Sequence, residues 1–140
     1  MVTKKRRTTK LTAAKVQVEF NAMIRRRDGR CMVNDGYCTN NTLQASHYFP
    51  IGGNGGLRFY PYNVWTQCGK HHNCHHHGNT DMYPRWLREH CPEELEWMAS
   101  VCGRPVRYTQ AVLREILEAC KRDDAEAVRK IVRGLYGYGD

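Results

Sequence analysis

Residues 31–80 read CMVNDGYCTN NTLQASHYFP IGGNGGLRFY PYNVWTQCGK HHNCHHHGNT, and the order of potential ligands in this stretch decides the fold. Cys31-x6-Cys38 comes first, then His47, then Asn63, then Cys68 followed by His71, His72 and Asn73. Two separated groups of soft ligands, one in a turn and one where a helix starts, suit a tetrahedral structural zinc. A metal closing the loop between them would stabilise a hairpin too irregular to fold alone. Turn formers at Asn34-Asp35-Gly36, Asn40-Asn41 and Gly52-Gly53-Asn54-Gly55-Gly56 mark that irregularity, with short strands expected around Leu43–Phe49 and Leu57–Tyr60. The glycine-rich loop lacks the Gly-Lys-Ser/Thr ending of a phosphate-cradling loop and reads as a flexible connection.

His47 falls on the first expected strand and Asn63 after the second, the first two positions of an HNH motif; the third falls on the helix expected from near His72 to about Gly78. Phosphodiester hydrolysis needs an activated water and a cation to neutralise charge on the phosphate and the leaving oxygen. Imidazole suits the first role because it titrates near working pH, and the Asn63 amide would fix the orientation and tautomer of the ring. Arg58 reads either as a structural ion-pair partner or as a fork-shaped donor to the scissile phosphate.

Outward from this core, charge is unevenly spread. The net charge of +8 arises entirely in residues 1–30, which hold ten Lys/Arg against two acids, while the remainder balances. Such an asymmetric basic block favours a polyanionic partner through counterion release. Residues 1–10 read as a disordered basic arm. Lys4, Lys5, Arg6, Arg7, Lys10, Arg25, Arg26 and Arg27, with Arg58, are the candidate DNA contacts, made largely to phosphates, so that shape more than base sequence is read. From the cap Thr12, the residues Val16, Phe20, Met23 and Ile24 form one face of a helix over 11–28. Beyond the core, Pro84–His90, Pro92–Val101, a helix capped by Thr109, and a last helix from Asp123-Asp124 carry apolar stripes that read as core.

Seven cysteines without an export signal favour metal binding over disulfides, and no run of apolar residues is long enough for a membrane span. A cytoplasmic protein is expected. Cys74, Cys91, Cys102 and Cys120 read as buried small hydrophobes. Cys74 offers an alternative zinc pair as Cys68-x5-Cys74.

The segments Ile24-Arg25-Arg26-Arg27-Asp28-Gly29-Arg30-Cys31, Gln44-Ala45-Ser46-His47-Tyr48, Leu57-Arg58-Phe59, Asn63-Val64-Trp65-Thr66-Gln67-Cys68 and Gly78-Asn79 resemble the lambdoid phage NinG/Rap recombination nucleases over about residues 11–135. The resemblance implies an α+β fold: a small zinc-bound ββα-metal core (HNH, treble-clef-like) with an N-terminal helix and a helical C-terminal extension, in one domain over 11–140. It also implies a metal-dependent endonuclease that cuts branched DNA, such as displacement loops or Holliday-type junctions, during phage recombination in the host cytoplasm. A homodimer would suit a four-way junction.

The family usually carries a C-x2-C-N second knuckle, with five residues from that Asn to the Gly of Gly-Asn. Asn73 to Gly78 keeps that count. The match implies one inserted residue, with His72 replacing the second cysteine as zinc ligand and Asn73 holding a catalytic Mg²⁺ or Mn²⁺. The alternative keeps the C-x2 spacing, makes His71 the zinc ligand and turns His72 toward the catalytic metal. Position 46 is Ser, where many HNH nucleases have an Asp, so the cation would be weakly held and completed by water, DNA phosphate or one of His75, His76 and His77. A different class of function, a non-catalytic zinc module binding nucleic acid as an accessory or regulator, would keep the cysteines and basic arm but has no need of His47 and Asn63 at this spacing.

Overall fold

The structure, a computed structural model, describes residues 9–33, 38, 42–53, 55–77 and 81–138, without the side chains of 74–77. The described residues form six α-helices and one two-stranded antiparallel sheet, a mixed α+β architecture. Helix α1 spans Ala13–Asp28. Thr12 caps it by accepting the Lys15 N–H, and Gly29 ends it in the left-handed region at φ 69°, its N–H donating to the Arg25 carbonyl. Glycine adopts that backbone without a Cβ penalty, which is why the helix stops there.

Strand β1 (Leu43–His47) pairs with β2 (Val64–Cys68), with Leu43 opposite Cys68, Ser46 opposite Trp65 and His47 opposite Val64. The second strand is therefore not the Leu57–Tyr60 segment that β-propensity predicts. That segment leaves a 3-10 turn at Gly55–Leu57 and enters another at Pro61–Asn63, closed by local bonds from Tyr60 N–H to the Leu57 carbonyl and Asn63 N–H to the Tyr60 carbonyl. Leu57, Phe59 and Tyr60 are all buried, so the segment lacks the in-and-out alternation of a half-exposed strand. Asn63 consequently precedes β2.

Side chains alternate across the hairpin. Thr66 Oγ1 donates to the Ile24 carbonyl of α1, and His47 approaches Gln17 of α1, so this face is covered by the first helix. The opposite face, with Ser46 and Trp65, is covered by α2 (Gly69–His77) and α3 (Met82–His90): the Tyr83 hydroxyl donates to the Ser46 carbonyl at 2.6 Å. The chain after α1 runs beside β2, Met32 N–H donating to the Thr66 carbonyl at 2.8 Å, and so delivers Cys31 to the end of that strand.

Helices α4 (Pro92–Val101), α5 (Gln110–Lys121) and α6 (Ala125–Leu135) complete the main core, in which Met98, Val101, Ile116, Val128 and Val132 pack with Val16, Phe20 and Ile24. Thr109 and Asp124 cap the last two by accepting the Val112 and Ala127 N–H groups. A buried polar knot locks the tail to the 3-10 turn: the Tyr60 hydroxyl donates to Glu94, which also accepts from Arg129 at 2.8 Å. Burial holds the Tyr60 phenol well above its ordinary range, so it stays a donor. No helix among the described residues is long and apolar enough to cross a membrane.

Candidate functional site

Four potential ligands converge where β1 begins and β2 ends. The Sγ atoms of Cys31, Cys38 and Cys68 lie 3.5, 3.5 and 3.0 Å from Nδ1 of His71, and all four ligand atoms fall within 4.8 Å of one another. Zinc bonded tetrahedrally to thiolate and imidazole sets S···N edges of about 3.5 Å, so the cluster fits such an ion. Three sulfurs and one nitrogen are a soft donor set, and Cys31, Cys68 and His71 are almost fully buried. Burial pushes the Cys31 thiol up to about 12, a cost that a divalent cation would reverse by binding the thiolate. Cys31, Cys38, Cys68 and His71 could therefore hold a metal ion such as zinc.

His71, not His72, completes the cluster, and helix phase explains it. Cys68 ends β2 and α2 starts at Gly69, so three residues bring His71 back over Cys68, while the next residue turns about 100° away. His72 faces β1 instead, its Nδ1 lying 3.0 Å from Ser46 Oγ. Asn73 turns further and is exposed. The assignments of His72 to zinc and Asn73 to a second metal, which follow from counting residues to Gly78, give way to the C-x2-H alternative. The side chains of Cys74, His75, His76 and His77 lie outside the described residues.

At the other end of β1, His47 is held by backbone. Its Nε2 lies 3.0 Å from the Arg58 carbonyl oxygen, which can only accept, so the ring donates from Nε2 and carries its basic lone pair on Nδ1. Four residues of strand, about 13 Å, separate this ring from the register position of the Cys/His cluster.

Asn63 does not orient the imidazole directly. Fully buried, it accepts the Phe49 N–H at 2.8 Å and donates to the Phe49 and Leu57 carbonyls at 3.1 and 3.2 Å. It fastens the loop around the ring: Leu57 adjoins the residue whose carbonyl holds His47, and Phe49 follows β1 by two positions. Its influence on the imidazole runs through that backbone.

Arg58 also faces this end of the sheet. Its Nε donates to Gln17 Oε1 at 2.9 Å, and among the described residues its terminal nitrogens make no hydrogen bond. Burial lowers its pKa, the mark of a guanidinium short of solvation. Gln17 is the site residue that sequence reading misses. A nearly buried glutamine directly after Val16 on the apolar stripe of α1 is the one signal that points to it.

The arginine run divides by helix phase. Arg27 donates to Asp28 and to the Pro61 and Val64 carbonyls at 3.0 and 2.9 Å, and stacks 4.2 Å over Trp65, which makes it a clamp within the fold instead of a free phosphate donor. Arg26 pairs with Asp123 at 2.8 Å. Arg25 is half-buried and Lys10 exposed, and among the described residues neither makes such contacts; Lys4, Lys5, Arg6 and Arg7 lie outside the described residues.

No curated protein and no solved structure matches this chain. The family model described as bacteriophage lambda NinG protein matches residues 2–130, a span that takes in the basic arm, the Cys/His cluster, the hairpin and nearly all of the helical tail. The chain accordingly belongs to the bacteriophage lambda NinG family.

Proposed function

We propose that this protein is a metal-dependent endonuclease of the HNH, ββα-metal type, with β1, β2 and α2 as its core and His47 as its general base. The observation that carries the reading is the bond between His47 Nε2 and the Arg58 carbonyl, which sets the tautomer a base needs at the end of β1. His47 Nδ1 would take the proton of the attacking water as its oxygen bonds to phosphorus and the ester bond to the leaving oxygen breaks. Arg58 would hold a phosphate oxygen through its terminal nitrogens. The His72 imidazole, steadied by Ser46, is the protein ligand we assign to a catalytic Mg²⁺ or Mn²⁺. Such a cation would neutralise charge on the phosphate and leaving oxygen. Without a carboxylate at position 46 it would be weakly held and completed by water and DNA.

The resemblance to the NinG/Rap nucleases supports branched DNA as the substrate, and the basic arm with Lys10 and Arg25 supports binding through phosphates. The test is a panel of linear, forked, displacement-loop and four-way duplexes with Mg²⁺ or Mn²⁺ and with chelator. The protein is expected to nick branched substrates, and His47→Ala to abolish nicking while binding DNA as the parent does. Equal cutting by His47→Ala would end the assignment. Cation-independent binding without cleavage of any substrate would establish the non-catalytic zinc module instead.

A further inference from the structure

We infer that Gln17 of α1 is a positioning residue that sets the catalytic base and the phosphate-binding guanidinium together, by holding Arg58 at both its carbonyl and its side chain. The inference rests on the nuclease reading of His47 and Arg58.

Hydrogen counting carries it. The Gln17 carboxamide has two N–H donors and one accepting oxygen. Its nitrogen reaches Asn21 Oδ1 at 2.9 Å and the Arg58 carbonyl at 3.1 Å, which engages both donors. Its oxygen accepts from Arg58 Nε at 2.9 Å. The third neighbour of the nitrogen, His47 Nε2 at 3.4 Å, is then not its acceptor, and that ring nitrogen donates to the same Arg58 carbonyl at 3.0 Å. One oxygen thus receives both Gln17 and His47, one on each lone pair. Asn21, one turn along α1, fixes which way the carboxamide faces.

The arrangement links two tasks. Arg58 lies in the connection between β1 and β2, with no strand pairing of its own. Gln17 sits on a rigid helix whose neighbours Val16 and Phe20 are fully buried. Fixing the Arg58 carbonyl fixes the imidazole; fixing Arg58 Nε aims the terminal nitrogens. Displacing a positioned group by about an ångström is enough to cost of the order of a hundredfold in rate.

The test uses the zinc-loaded full chain. Gln17→Met keeps the length but loses every hydrogen bond, whereas Gln17→Glu keeps the acceptor for Arg58 Nε and loses the donors to the Arg58 carbonyl. For cleavage of a nicked-product reporter duplex in Mn²⁺, Gln17→Glu is expected to lower kcat at least tenfold with KM near the parent value, and Gln17→Met to lower kcat and raise KM. Nitrogen-15 NMR of the His47 ring supplies a readout independent of cleavage: a single Nε2–H tautomer in the parent and a mixture in both variants. Should Gln17→Met not fold, Gln17→Glu and Asn21→Ala carry the comparison. Folded variants that keep kcat within twofold and the pure Nε2–H tautomer would overturn the inference. A parent protein that cuts nothing would overturn the nuclease reading, while the tautomer measurement would still decide whether Gln17 positions the ring.

Discussion

The Nε2 atom of His47 lies 3.0 Å from the backbone oxygen of Arg58, eleven residues further along the chain. That bond ties the last residue of β1 to the connection leading into β2, so backbone helps to set the orientation of the ring. The hairpin is then pinned at both ends by different chemistry: a Cys/His cluster at the Leu43–Cys68 end and a hydrogen-bonded loop at the His47–Val64 end. Neither end requires a large sheet, which is how two five-residue strands can present an ordered site.

Cobalt(II) added to the Cys/His cluster should report the ligand set through thiolate charge-transfer and ligand-field bands. Because His71 Nδ1 meets all three sulfurs while His72 meets Ser46, His71→Ala is expected to change the spectrum and to weaken metal affinity by more than about a hundredfold, beyond what an outer-shell partner is worth. His72→Ala should leave both nearly unchanged. The reverse pattern would return the zinc to His72.

Asn63→Ala removes three hydrogen bonds to backbone groups of Phe49 and Leu57 from a fully buried position. Leaving buried donors and acceptors unmade costs roughly 1–3 kcal/mol each before water relieves some of it, so a loss of about 3 kcal/mol in urea unfolding is expected. Asn63→Asp should be worse than a simple isostere, since a carboxylate would face the Phe49 and Leu57 carbonyls that now accept. A loss below about 0.5 kcal/mol, the range of an ordinary surface change, would show that the clamp is idle.

Arg26 and Arg27 are neighbours in sequence with unequal expected effects. The Arg27 partner Asp28 is 2% exposed and also accepts the Thr66 N–H at 2.8 Å, so breaking the pair strands a buried carboxylate. Arg27→Met should destabilise by about 3 kcal/mol. The Arg26–Asp123 pair is about half exposed on both sides, and Arg26→Met should cost less than about 1 kcal/mol. Parallel denaturation curves decide it; equal losses would contradict the burial argument.

What could be read from the chain depended on whether its cause was local. Thr12, Thr109 and the apolar recurrence after each announce α1 and α5 because caps and helical periodicity are properties of neighbouring residues. The Cys31, Cys38 and Cys68 grouping was legible from ligand chemistry, but the choice between His71 and His72 depended on where α2 starts, since one residue of phase decides the face. Leu57–Tyr60 looks like a strand by composition; its Leu57 and Arg58 carbonyls are instead taken by the side chains of Asn63, Gln17 and His47. The role of Gln17 depends on partners 30 and 41 residues away, which no local pattern encodes.

Gly56 lies in the glycine-rich stretch that reads as a mere connection, yet a Cβ there would sit 1.9 Å from the Tyr136 hydroxyl and 2.8 Å from a Val106 methyl. The Gly56 carbonyl also accepts from the Tyr108 hydroxyl at 2.5 Å, which limits how far the loop can withdraw. Gly56→Ala is therefore expected to destabilise by about 1–3 kcal/mol through overpacking. Gly55→Ala, with nothing within 4 Å, should be nearly neutral. Matching losses at the two positions would show that the approach of Tyr136 does not govern this loop.

Burial gives Cys91 and Cys120 a predictable alkaline behaviour. Loss of solvation, with Glu19 as a further contributor, pushes the Cys120 thiol from 9.0 up to about 12, and burial beside Glu94 pushes Cys91 up to about 11. Both folded values lie above the unfolded one, so the fold favours the neutral thiol: the stabilising contribution is complete below pH 9.0 and disappears as pH rises toward 11 for Cys91 and about 12 for Cys120. Stability of the zinc-loaded protein to urea should therefore fall between pH 9 and 11, in the direction opposite to acid unfolding. At pH 8.5, below that window, the thiolate fraction at Cys91 and Cys120 is low; Cys102, which the sequence reads as buried, is exposed, so thiol reagents should modify it before these two, which they reach only on unfolding. Mass-spectrometric mapping of an alkylation time course at pH 8.5 reads the order directly, and modification of Cys120 in the folded protein as fast as Cys102 would mean that the α5 face is not sealed against solvent.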